Sequence, residues 1–446
     1  MEQLHASQRP IAEIVSDVEQ TVPALLDLLR SSNGDEQRPL FLADEIENPK
    51  FTYDELMQQD FDDIDTRLGE LGEELAQNPD LDEHFRGTFA DFITERRLQT
   101  QLLRSFQTYQ SLPDGPERDE AAAEYQRLNE ALFGEVDEST MHALLSNKLR
   151  SYALEPGDVL AQQVLDELKT LVPKEALEEL PPPYAVSEET FEAVKVMAEA
   201  LYDKLLKHVP DRDEIYSSDE ILAILTKIVR EEFGESAADW IVRHNKQKGL
   251  SVEPLSKEVR VSPTITADGP KLRGLVAHEL GVHMLKAVRG YETGLLPFAI
   301  GMAGYGAAEE GTGMVMQQAV TGKFEIAGTG HYITAGLLKQ GRNFRGAFEV
   351  NWRLKALDSL KPGEALTEAA ISEARGTAYS NTIRLGKGGM PSPFSRDLLY
   401  YNGTKAMWEY FGRYGADELM LNLAMLGKLD PTKPPHLQTA LETRTN

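Results

Sequence analysis

Residues 272–287 read Leu-Arg-Gly-Leu-Val-Ala-His-Glu-Leu-Gly-Val-His-Met-Leu-Lys-Ala. Apolar residues flank a His278-Glu279-Leu280-Gly281-Val282-His283 core on both sides, so the stretch reads as a largely buried helix. A helix that binds zinc through two histidines usually carries them four residues apart, which puts both imidazoles on one face. Here they are five apart. Each α-helical residue turns the chain by about 100°, so a regular helix would leave these rings about 140° apart. For both to hold one ion, the helix must be locally overfilled, as in a π-bulge. Gly281, inside the motif, is the residue best able to relax the backbone there.

The rest of the composition narrows the setting. The chain has 446 residues and 41% hydrophobic content, enough for two sizeable cores. It has no cysteine, so thiolate metal ligands, disulfides and a cysteine nucleophile are all excluded. The start, Met1–Pro10, is polar and lacks the basic and apolar regions of a signal peptide. No apolar run reaches the length of a membrane span. These features predict a soluble, cytoplasmic protein. A net charge of −27 disfavours nucleic acid and anionic membranes as partners. The acidic stretch Asp60–Glu74 reads as a solvated helix face.

Periodicity predicts a mainly α fold with a small β-sheet. Helices are expected over Ile11–Leu29, Tyr53–Leu75, Phe89–Leu112, Asp119–Leu132 and Asp158–Leu171. Pro181-Pro182-Pro183 is a stiff break. It divides a helical N-terminal region, 1–183, read as a partner-binding lobe, from a catalytic domain, 184–446. Ser187 should cap a helix, and Ser217 with Glu220 has capping-box spacing. Val259–Thr266 is β-branched and alternating, hence a strand, and Pro263 confines it to a sheet edge or a strand end. As an edge strand it would be able to pair with an extended peptide. Further helices are expected over Ala307–Val320, Ala365–Leu385 and Phe394–Phe411. His5, His84 and His142 are isolated and read as ordinary histidines.

Two imidazoles make half of a metal site. A catalytic zinc takes three protein ligands and leaves one position open. With no cysteine, the third must be His, Asp or Glu. Glu309 and Glu310, in Ala307-Ala308-Glu309-Glu310-Gly311-Thr312-Gly313, are the best local candidates, and His331 competes. Glu279 adjoins a ligand but points elsewhere, as a general base acting on water would.

Together these motifs resemble the tyrosine/phenylalanine carboxypeptidase family, whose bacterial members carry a Gln-Glu-Gly-Leu-Ala motif and whose animal members include the microtubule-associated tyrosine carboxypeptidases. The resemblance runs from about Trp240 to Phe411 and is faint before Ser187. It departs in detail, with Leu280 and Val282 in place of Ile and Thr, and Glu309-Glu310-Gly311-Thr312-Gly313 in place of Gln-Glu-Gly-Leu-Ala. What it implies is a zinc metallopeptidase with one zinc per chain. Its ligands would be His278, His283 and Glu310, with Glu279 as base. It would release a C-terminal Tyr or Phe from a peptide or protein with a free C-terminus. Phe394–Gly403 looks like the family's late Asp-x-x-Tyr-x-x-Gly segment, which puts Tyr400 at the position of an oxyanion donor. A carboxypeptidase must also bind a carboxylate, and arginine does this bidentately. Arg384 is the first choice for that role, followed by Arg375 and Arg396. The rival readings are a zinc endopeptidase or aminopeptidase on the same site, and a non-catalytic binding protein.

Overall fold

The computed structural model describes residues 9–445 apart from 23, 211–213, 247–248 and 391. His5 and most of Met1–Pro10 therefore lie outside the described residues. The chain is mainly helical with one three-stranded sheet. Among the described residues no helix is long and apolar enough to cross a membrane.

Helix starts follow local chemistry. Asp60 accepts from the Asp63 amide, Asp158 from Ala161 and Ser187 from Thr190. Ser217 and Glu220 form a reciprocal capping box. Each side chain satisfies an amide that the helix itself leaves unpaired. The expected Ile11–Leu29 helix is split into Ile11–Thr21 and Leu25–Leu28. Tyr53–Leu75 becomes Asp54–Met57 and Phe61–Gln77, because the Asp60 cap starts a new helix.

Helices before the triproline share their cores with later ones: Ile14, Leu68, Leu71, Phe89 and Phe92 cluster with Ala299 and Ile300. Phe41, Phe106, Tyr125, Leu144 and Leu168 share one buried cluster with Ile333, Phe348, Trp352, Leu385 and Tyr401. Among the contributing elements are α1 (Glu138–Ser151) on the N-terminal side, and two helices over Thr329–Lys339 and Phe344–Asp358 on the other.

A second core surrounds the histidine motif. It begins with α2 (Glu188–Leu206) and includes the sheet. Strands β1 (Ile241–His244), β2 (Leu250–Glu253) and β3 (Glu258–Val261) lie in the order β1-β3-β2. β1 is parallel to β3, and β2 is antiparallel to it. This corrects the reading of Val259–Thr266 as an edge strand. β3 is central, with partners on both sides, and cannot add a peptide. It ends at Val261, so Pro263 falls beyond the ladder, where its missing N–H does no harm. β2 packs on the motif helix.

That helix, α3, runs without a break through Gly269–Leu275, Val276–Met284 and Leu285–Glu292. α4 (Gly306–Thr321) lies across it, and α5 (Glu368–Leu385) and α6 (Leu398–Tyr414) follow. The contact between α4 and α6 is very close. A Cβ on Gly403 would lie 1.8 Å from the Ala307 carbonyl oxygen, so no other residue fits there. This contact carries Tyr400, one turn earlier on α6, up to α4.

Candidate metal centre

The backbone resolves the awkward histidine spacing. Val276–Met284 is a π-helix, in which amides bond five residues back rather than four. The wider turn absorbs the extra residue, and the His278 and His283 rings come together with centroids 4.8 Å apart. Gly281 plays a different part from the one expected. It is not among the glycines with positive φ. An added Cβ would instead sit 2.7 Å from Cε1 of Tyr202, a buried ring on α2. The glycine makes room for the aromatic ring that packs against the motif.

α4 supplies the opposite wall. Glu310, Gly313 and Gln317 are spaced i, i+3, i+7 and so share one helix face. Gln317 Oε1 lies 3.0 Å from His278 Nδ1. Glu310 Oε2 lies 3.7 Å from His278 Nε2 and 3.9 Å from His283 Nε2. Glu309, one residue earlier, is turned by about 100° and reaches behind His283, where Oε1 is 2.9 Å from Nδ1. The two adjacent glutamates thus take opposite sides of one imidazole. Glu310 faces the Nε2 atoms of both histidines, while Glu309 sits at Nδ1 of His283.

His278, His283 and Glu310 place one ligand atom each within 4.8 Å of one another. At zinc-type bond lengths, neighbouring tetrahedral ligands lie roughly 3.4 Å apart. A small contraction would let these three atoms hold a metal ion. His331 is not in this group; its ring sits 6.1 Å from that of Tyr400. The donor set has two further signs of fit. Both Nδ1 atoms have partners, which turns the Nε2 atoms toward Glu310. Glu279 is buried, and its Oε2 has no hydrogen-bond partner. A buried carboxylate left unpartnered is costly unless the site uses it.

The charges of these groups act on one another. Burial pushes the Glu310 carboxyl up, but His278, His283 and Arg396 outweigh it and hold the group at about 2. Burial also opposes ionisation of Glu309, yet Lys286 and Lys428 keep it well below the usual carboxylate range. Burial works to lower His278, and the neighbouring Glu310 and Glu279 raise it above the ordinary imidazole value.

The remaining expected residues fall into two groups. Tyr400 lies beside the site, and burial together with the Glu310 charge pushes its phenol up to about 12. It therefore keeps its proton at neutral pH and can donate. Tyr401 points into the core against Tyr332 and Tyr184. Arg384 is held bidentately by Asp397, with Nε at 2.8 Å and Nη2 at 2.9 Å. Arg396 touches Asp397 only at 3.7 Å and lies close enough to Glu310 to depress it. Arg375 is engaged elsewhere, by Asp44 and the Leu42 carbonyl. Gln317, Lys286 and Lys428 were not anticipated, and Asp397 entered only as the Asp of the Asp-x-x-Tyr-x-x-Gly segment. Gln317 left a signal in its i+7 spacing from Glu310.

A cavity of about 690 Å³ is walled by Met314 of α4 and by His331 and Ile333 of the helix over Thr329–Lys339. The ligand atoms do not line it. Met314 in its wall is one turn beyond Glu310 on α4, and His331, also in its wall, has its ring 6.1 Å from that of Tyr400. Leu144, Asn147 and Lys148 of α1 form another part of its wall. His208, Glu231 and Glu232 form a second cluster of ligand-type atoms. There, Glu232 Oε1 is already taken by His208 Nε2 at 2.6 Å and by Lys207 Nζ at 3.1 Å.

No family model, curated protein or solved structure matches this chain.

Gly313 allows a direct check of the site. A Cβ at this position would lie 2.6 Å from His278 Nε2, the candidate ligand atom. Gly313→Ala is expected to lower metal affinity by at least the roughly 10- to 100-fold typical of disturbed supporting residues, while the helical circular dichroism signal stays unchanged. Competition with a chromophoric chelator measures the affinity.

Proposed function

We propose that this protein is a zinc-dependent metallocarboxypeptidase that removes a C-terminal aromatic residue from a peptide or protein. The observation that carries the reading is the convergence of His278 Nε2, His283 Nε2 and Glu310 Oε2 near buried Glu279, whose Oε2 has no hydrogen-bond partner. The motif resemblance to the tyrosine/phenylalanine carboxypeptidases supports the exopeptidase form.

His278, His283 and Glu310 would hold the zinc. When bound, zinc supplies Lewis acidity, polarising a scissile carbonyl and making a water easier to deprotonate. Glu279 takes the proton from the attacking water and passes it to the departing amine. Tyr400, still protonated, donates to the carbonyl oxygen as negative charge develops there. The cavity walled by α1 and Met314 receives the peptide chain. On this reading the helices before the triproline line the substrate path rather than forming a separate partner-binding lobe.

The terminal carboxylate needs a cation, because a buried charge left unpaired is very costly. Asp397 already engages Arg384 on two nitrogens. Arg396 is the freer guanidinium and is assigned the clamp, with Arg384 supporting it through Asp397. A peptide ending in free-acid Tyr or Phe should be cleaved, and its amidated form should not. Arg396→Ala should slow free-acid cleavage on the order of 10²-fold, in line with losing one partner of a buried charge pair, and should do so more than Arg384→Ala. Mass spectrometry of the products reads both. Equal cleavage of free and amidated peptides would replace exopeptidase action with endopeptidase action on the same centre.

A further inference from the structure

Behind His283 the structure holds more positive charge than an ordinary ion pair needs. Glu309 is buried, Lys286 is fully buried and Lys428 is nearly so. Glu309 Oε1 accepts from Lys428 Nζ at 2.7 Å and faces His283 Nδ1 at 2.9 Å. Its Oε2 lies 2.8 Å from Lys286 Nζ. The second contact is a charge contact rather than an aligned hydrogen bond, since neither atom has a hydrogen-bond partner. One carboxylate balances one ammonium. Burying a second ammonium carries a desolvation penalty of several kcal/mol that an apolar side chain would avoid.

Both lysines are placed deliberately by the fold. Lys286 follows His283 by three residues on α3 and so lies on the same side of the helix. Lys428 comes from a remote segment pinned by its own backbone. Its amide donates to the Phe298 carbonyl at 2.7 Å, and its carbonyl accepts from the Met302 amide at 2.9 Å. The two ammoniums therefore reach the two oxygens of Glu309 from different elements, and the carboxylate cannot rotate without losing one of them. His278 is treated differently: its Nδ1 partner is the neutral amide of Gln317.

We propose that Lys286 and Lys428 are positioning residues of the metal centre, a buried two-lysine clamp that fixes Glu309 and through it the rotation and tautomer of His283. A carboxylate engaged by two ammoniums can only accept from the imidazole. Nδ1 must then carry the proton, and the Nε2 lone pair is left facing Glu310 and His278. Such outer partners set the orientation of a ligating histidine. The inference rests on His283 being a metal ligand, not on the peptidase reading, so its test needs no turnover.

The test uses the full chain with Lys428→Met, Lys286→Met and the conservative Lys428→Arg. Zinc affinity is measured by chelator competition. The His283 tautomer is read in metal-free protein by long-range ¹H–¹⁵N correlation, above the imidazole's titration range. Each single Met variant still leaves Glu309 one lysine, so charge balance is kept and the fold should survive. If one variant fails to fold, the other carries the test. The expected result is a roughly 10- to 100-fold loss of zinc affinity with a mixed His283 tautomer, and Lys428→Arg restoring most of both. Zinc affinity within about threefold of the parent, well below the usual cost of losing such a partner, with an unchanged tautomer would overturn the proposal. The lysines would then be structural only.

Discussion

Glu279→Gln is expected to bind zinc as the parent does and to hydrolyse peptide about 10²- to 10⁴-fold more slowly, the range that general acid–base groups contribute. The substitution keeps size and shape and removes only the ability to take a proton. It should fold readily, since it replaces a buried carboxylate whose Oε2 has no hydrogen-bond partner with a neutral amide, and burying an unpartnered charge is the costlier of the two. The measurement pairs zinc content with initial rates on a free-acid peptide. Loss of zinc along with activity would show that Glu279 is a ligand and would sink its assignment as base. Full retention of activity would remove the hydrolytic reading of the site altogether.

The second large effect separates ligands from their supports. His278→Ala, His283→Ala and Glu310→Ala should each lose zinc to a degree beyond the roughly 10- to 100-fold that a supporting residue costs. His331→Ala should leave zinc affinity unchanged, because His331 stands with Tyr400 rather than with the other ligand atoms. Glu309→Ala should fall in between, since it removes the partner of His283 Nδ1 and strands two buried lysines. Metal content after dialysis against a graded series of chelators would rank all five. A ranking with Glu309→Ala at the bottom and Glu310→Ala near the parent would exchange the roles of the two glutamates.

Much of this centre is visible in one line of sequence. His278, Glu279 and His283 are neighbours along the chain, and the count between them already requires a helix with an extra residue in its turn. The π-helix over Val276–Met284 is that requirement met. The caps at Asp158, Ser187 and Ser217 are equally local, because a short side chain reaches only the amides two or three residues ahead. Helix type and much of its placement were therefore legible. The strand at Val259 was legible too, but its place in the sheet was not. Whether a strand is central or at an edge depends on partners elsewhere, and β1, its parallel partner, gave little alternation to betray itself.

The choice between Glu309 and Glu310 shows the same boundary at the scale of one residue. Sequence placed both on one helix and by itself went no further, since spacing does not say which face of that helix meets the histidines. The close packing of Gly403 on Ala307 and of Gly313 on His278 sets that rotation, turning Glu310 to the front of His283 and Glu309 to the back. Lys286 and Lys428 lie beyond sequence reasoning for a related reason. A lysine reads as a surface residue, and only a carboxylate delivered from another element can make its burial tolerable. The sequence by itself determined the chemistry available and the local backbone that presents it. Tertiary packing decided which oxygen, nitrogen and ammonium face one another, because those pairings join residues up to 119 positions apart that no local rule connects.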